Sequence, residues 1–118
     1  SVAWGMRAPR LPRNRLLSVE EYLRFEERSS IRHEYVAGRV YAMAGVTLTH
    51  ERIVRNLTRL LDPSALRTRC DLVTKDVKVR AADAVYYPDV VVRCGERLPG
   101  TTLVLPDPCL IVEVLSPG

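Results

Sequence analysis

Two stretches of this chain are apolar on both faces that a strand presents, and each carries a single acid. Residues 85–92 are apolar on both sides apart from Asp89, and residues 110–115 apart from Glu113. A strand with two apolar sides has to be covered on both. Such strands sit at the centre of a layered sheet, and helices must supply the layers.

The rest of the sequence supplies them. Ser18-Val19-Glu20-Glu21 is a capping box, with Ser18 as N-cap and Glu21 reaching back. The spacing predicts a helix from there to about Ser29-Ser30, with Leu17 stapled onto Tyr22. Residues 34–43 read as a hairpin around Ala37-Gly38, with glycine free to take a positive φ. Thr47 or Thr49 caps a second helix, expected to reach Leu61 and stop before Pro63, with Ile53, Leu57, Leu60 and Leu61 as its apolar stripe. Residues 71–80 alternate, with Val73, Val77 and Val79 on one side and Thr74, Asp76, Lys78 and Arg80 on the other, as in a half-exposed strand. Residues 95–108 read as a polar loop. The expected class is α/β (α+β): a mixed central sheet flanked by helices, with an N-terminal helix and hairpin.

Composition narrows the alternatives. With 118 residues, 47% apolar and 27% charged, the chain suits one globular domain and excludes collagen, coiled-coil and wholly disordered readings. No run of about 18 apolar residues exists, so no membrane partner is expected. The net charge is +4, and residues 1–15 hold four arginines and no acid, so residues 16–118 balance at zero. Residues 1–15 are read as a flexible basic arm and 16–118 as the domain. The arm precedes only Leu16-Leu17, so no leader is read there. Cys70, Cys94 and Cys109 are odd in number and lack CxxC spacing. They are expected to be small buried hydrophobes in a reduced, cytoplasmic protein.

Asp89 and Glu113 are the informative anomaly. A carboxylate inside an apolar strand is costly unless paired or wet. Three arrangements meet that cost: a solvated strand end, a buried Arg or Lys partner, or convergence on a divalent cation. The last draws on carboxylates as hard oxygen ligands, of which magnesium needs one or two. Pro88 lacks an N–H, so the ladder should open beside Asp89. Asp76, Glu34 and His50 are candidate accessories, each against a plain surface, ion-pair or capping role. Arg52, Arg55 and Lys78 are candidate phosphate contacts, against a solvated basic face.

Several segments together resemble the Uma-two family, a bacterial group of restriction-endonuclease-like proteins in the PD-(D/E)XK superfamily. They are Tyr87-Pro88-Asp89-Val90-Val91-Val92, Asp107-Pro108 and Leu110-Ile111-Val112-Glu113-Val114-Leu115-Ser116-Pro117. Upstream, the run from His33 to Gly45 resembles the family's Glu-x-x-x-Gly hairpin, and His50-Glu51-Arg52-Ile53 its His-led helix. The resemblance covers roughly residues 18–117. It implies that Asp89 and Glu113 are the catalytic acids, that both bind Mg2+ (or Mn2+), and that DNA is the substrate. The position two beyond Glu113, where the superfamily carries a lysine, is Leu115. In the family a lysine on the helix after Ser-Pro takes that part. The chain ends at Gly118, so the domain is expected to lack its C-terminal helix and to cleave weakly or not at all. The competing expectation is a non-catalytic nucleic-acid-binding or dimerising protein that keeps the nuclease fold. A plain interaction module is the third. A homodimer is expected in any of them, because a strand apolar on both sides would otherwise lack a cover.

Overall fold

A computed structural model of the chain describes Leu11 and residues 15–115. Most of the expected basic arm, and Ser116-Pro117 of the C-terminal motif, lie outside the described residues. The elements run α1 (Val19–Arg28), β1 (His33–Val36), β2 (Arg39–Ala42), α2 (Leu48–Thr68), β3 (Asp71–Thr74), β4 (Lys78–Ala81), β5 (Ala84–Tyr86), β6 (Val90–Arg93), β7 (Val104–Leu105) and β8 (Leu110–Val112). The architecture is mixed α+β, as expected. The pairs β1–β2, β1–β5, β3–β6 and β6–β8 are antiparallel, and β4–β7 is parallel.

The chain forms two compact units. One holds the chain up to Ala44 together with Ala82–Tyr86, and the other holds Gly45–Ala81 and the chain from Tyr87. In the first, the capping box forms as read: Ser18 Oγ accepts from Glu21 N at 3.1 Å, and Glu21 Oε1 accepts from Ser18 N at 3.0 Å. Leu17 is buried beside Tyr22, Tyr35 and Val85, so the staple also forms. The hairpin turns at Ala37-Gly38, both with positive φ, in register Val36 opposite Arg39. Such a turn matches the twist of its strands. A Cβ on Gly38 would come within 2.8 Å of Leu16 Cβ, so a close approach also requires glycine there.

In the second unit α2 lies against an antiparallel sheet of order β3-β6-β8. Val90 and Val91 in β6 are 0% and 1% exposed, so the middle strand is covered on both faces.

Six local expectations change. The helix α2 passes through Pro63 and ends at Thr68. Ala65 is buried, Thr68 Oγ1 bonds the Ser64 carbonyl, and Arg69 closes the end in the left-handed region, so packing and capping carry the last turn past the proline. Ile53 and Leu60 are exposed, and Val54 and His50 face inward instead. Residues 71–80 are two strands in different sheets, split at Lys75-Asp76-Val77. Residues 85–92 likewise split at Tyr87-Pro88-Asp89, where proline interrupts the ladder. Finally, β8 is an edge strand with Leu110 43% exposed, not a doubly covered one, and the polar loop contains β7.

The cysteines differ as well. Cys70 and Cys94 form a disulfide, and Cys109 is exposed. The β3–β6 register explains it: Asp71 faces Arg93, so the residues just outside, Cys70 and Cys94, face each other. Reading the cysteines one at a time, by their apolar neighbours, missed this pairing.

Candidate functional site

Three adjacent strands end together. Thr74 pairs with Val90, and Val90 with Val112. The next residue on each strand is Lys75, Asp89 and Glu113, so these three stand in a row at one end of the sheet. Pro88 is why Asp89 stands there, since the ladder begins only at Val90.

Asp89 is mostly buried, its side chain 16% exposed. Its Oδ2 accepts from the Val114 backbone N–H at 2.7 Å and lies 3.1 Å from His50 Nε2. Of the three arrangements open to this carboxylate, its position is the strand end. Its partners there are an imidazole and an amide.

The first turn of α2 delivers His50. Thr47 Oγ1 accepts from His50 N at 3.1 Å, which fixes where the helix begins. The ring is 7% exposed. With Nε2 donating to Asp89, Nδ1 is left as an acceptor. It is buried without a hydrogen-bond partner, and so is Oε1 of Glu51, 4.0 Å away. Two unsatisfied buried acceptors facing each other form a place for a donor or a cation. The other carboxylate oxygen of Glu51, Oε2, bonds Lys75 Nζ at 2.5 Å. That hydrogen bond, with the charge of Lys75, holds the Glu51 carboxyl below its ordinary range.

Neighbouring residues of one helical turn therefore reach neighbouring strands: His50 holds Asp89, and Glu51 holds Lys75. Glu51 and Lys75 were missed as site residues. The signal was present in their positions, Glu51 beside His50 and Lys75 at the break of the alternating segment. It becomes legible only once residues 71–80 are known to be two strands.

The other candidates are placed as follows. Glu113 is exposed at the end of β8. Asp76 is exposed in the turn after Lys75 rather than on a strand face. Arg52 and Arg55 are exposed on α2, and Arg55 lines a cavity of about 200 Å³ with Glu51, Val54, Thr58, Thr74 and Lys75. Lys78 is buried, with Nζ 5.5 Å from the Tyr87 ring centroid, a cation–π contact inside the unit rather than an exposed charge. Glu34 is half-buried in β1 of the first unit, paired opposite Tyr41. Among the described residues, no group of three or more His, Cys, Asp and Glu side chains is arranged to hold a metal ion.

A mixed α+β domain with an acid–histidine pair at the end of its sheet is the class that fold and site define. Residues 19–118 match the profile of the Uma2 family, described as "Putative restriction endonuclease". The chain belongs to that family, and its architecture is consistent with a restriction-endonuclease-like fold. Two relatives come from Synechocystis sp. "Uncharacterized protein slr1290" is 40% identical over 104 residues, covering 86% of this chain and 55% of that protein. "Uncharacterized protein sll1609" is 29% identical over 106 residues, covering 86% of this chain and 60% of that protein. The chain thus spans little more than half the length of these relatives.

Proposed function

We propose that this chain carries the core of a metal-dependent DNA endonuclease, with Asp89 and Glu113 as its acidic pair. Membership of the family supports nuclease function at the level of the family. The observation that carries the reading to these residues is the shared strand end: Asp89 and Glu113 follow the last pair of the β6–β8 ladder.

The donor set suits a hard divalent cation in kind. Two carboxylates are what Mg2+ or Mn2+ takes from protein, with water and phosphate oxygens completing the shell. Asp89 and Glu113 would hold it. When bound, it would neutralise charge on the phosphate and ease ionisation of water. The chain's own residues do the rest. The Val114 N–H and His50 fix Asp89 in one orientation, so the carboxylate is set before a substrate arrives. In the hydrolysis, water oxygen bonds to phosphorus as the bridging P–O bond breaks, the water proton leaves to solvent, and the departing oxygen is protonated from solvent.

The test is cleavage of end-labelled duplex DNA. Cleavage is expected to need Mg2+ or Mn2+, to stop with EDTA, and to be lost in Asp89→Ala and Glu113→Ala. Cleavage that survives both substitutions would show that the chemistry lies elsewhere.

Leu115 favours a second reading, a DNA-binding or dimerising protein without catalysis, because an apolar residue fills the lysine position of the motif. Exposed Leu110 on the β8 edge and exposed Ile53 and Leu60 on α2 are surfaces through which a homodimer would form. Among the described residues no helix is long and apolar enough to cross a membrane. DNA binding without metal-dependent cleavage, with a dimer in sedimentation, is the outcome that selects this second reading.

A further inference from the structure

We infer that Lys75 supplies the cation that meets the DNA phosphate at this site, and that Glu51 holds it there until the phosphate arrives. The inference rests on the reading above for its substrate. It is carried by geometry that the motif does not contain.

Lys75 stands one strand from Asp89, on the side away from Glu113. The register fixes this: Lys75 follows Thr74, the partner of Val90, and Asp89 precedes Val90. Adjacent strands are about 4.8 Å apart, within the reach of a lysine side chain. The motif's own position offers nothing comparable, since Leu115 is apolar and 88% exposed. A lysine from the flanking strand therefore brings its charge to the same sheet end from the other side.

Glu51 makes the placement definite. A lysine side chain has several rotatable bonds, and an exposed one is spread over many positions. The Glu51 carboxylate, on the turn that holds Asp89 through His50, keeps Lys75 Nζ at 2.5 Å. The pair is partly open to solvent, with Lys75 40% and Glu51 33% exposed, so a phosphate can reach it. The cavity beside it holds a second cation, Arg55, and two hydroxyls, those of Thr58 and Thr74. Two cations and the Thr74 hydroxyl around about 200 Å³ are chemistry for a phosphate, while the Thr58 hydroxyl already donates to the Val54 carbonyl. Glu51 competes with that phosphate for Lys75, so it both positions the amine and weakens binding.

Binding to a duplex oligonucleotide in Ca2+, a cation used to favour binding over cleavage, tests this over a series of salt concentrations. Lys75→Met should weaken binding roughly three- to ten-fold and lower the salt slope by about one. Lys75→Arg should keep the wild-type slope. Glu51→Gln, which keeps the shape and removes the charge, should tighten binding. Circular dichroism checks that each variant is folded. Unchanged affinity and slope in folded Lys75→Met overturn the inference. Should that variant unfold, Glu51→Gln decides: binding no tighter than wild type overturns it. A wild-type chain that binds DNA with this Lys75 dependence but never cleaves it retires the nuclease reading and leaves the phosphate contact standing. A wild-type chain that does not bind DNA retires both.

Discussion

Each unit of this molecule contains a histidine held by a carboxylate, and the two pairs are built to different ends. In the first unit, Glu26 uses both oxygens on one residue. Oε2 accepts from the His33 backbone N–H at 2.7 Å, and Oε1 lies 2.9 Å from His33 Nδ1. Tyr22 Oη donates to the His33 carbonyl, and the side chains of His33 and Glu26 are 6% and 2% exposed. In the second unit, the pair His50–Asp89 leaves His50 Nδ1 buried without a hydrogen-bond partner, and Glu51 Oε1 beside it is likewise unsatisfied. A closed polar network fastens α1 to β1. The open one has capacity left over, and leftover capacity is what a ligand can use. Residue type does not separate a structural histidine from a functional one. Completion of the surrounding bonds does.

The comparison can be broken first at Glu26. Glu26→Ala removes both acceptors and leaves the His33 N–H buried. It should cost about 1.5–3 kcal/mol for each of the two hydrogen bonds lost to a carboxylate. Thermal unfolding measures it, and a loss below about 1 kcal/mol would mean that the network fastens little. Asp89→Ala should do the reverse: abolish cleavage with a smaller change in stability, because a partly solvated strand end relaxes more easily. An Asp89→Ala protein that unfolds as readily as Glu26→Ala would make both pairs structural.

The hairpin unit was legible in its sequence because its signals are local. Ser18 and Glu21 are three residues apart, and Ala37-Gly38 is a two-residue turn, so propensity and structure answer the same question. The site unit depends on partners far along the chain. Pro88 announces the opening of the ladder at Asp89. Nothing within a few residues of Lys75 says that residues 71–80 divide between two sheets, or that Glu51 lies beside them. Pro63 misled for the opposite reason. Its local cost is real, yet burial of Ala65 and the cap at Arg69 outweigh it.

Two smaller effects sharpen the contrast between the units. Thr47→Ala removes the hydroxyl that accepts from His50 N, and should cost about 1 kcal/mol of stability. Because that cap sets where His50 begins, the same variant should also lower cleavage. Ser18→Ala, the matching cap of α1, should cost a similar amount and leave cleavage per folded molecule unchanged. Equal effects on activity would deny the site its dependence on the start of α2.

The smallest effect is electrostatic. A hydrogen bond from Arg15, together with the Ser18 backbone N–H, lowers the Glu21 carboxyl from 4.5 to about 2. A depressed carboxylate stabilises the fold above its unfolded value and loses that contribution as pH falls through the folded one. The fold should therefore weaken slightly between about pH 4.5 and pH 2, and Glu21→Gln should flatten that part of the curve. An unchanged profile would mean that the exposed pair contributes nothing measurable.

The disulfide acts on the row of site residues from a distance. Cys70 and Cys94 lie just beyond one end of the β3–β6 ladder, and Lys75 and Asp89 just beyond the other. Sliding one strand by a single residue would turn every side chain to the wrong face. A covalent crosslink at the far end forbids that slide, as a pin through the first link of a chain fixes the last. Closing a loop over a separation of 24 residues also restricts the unfolded chain, worth about 3–4 kcal/mol. The alignment of an amine and a carboxylate beyond a four-residue ladder is thereby held by two sulfur atoms at its opposite end.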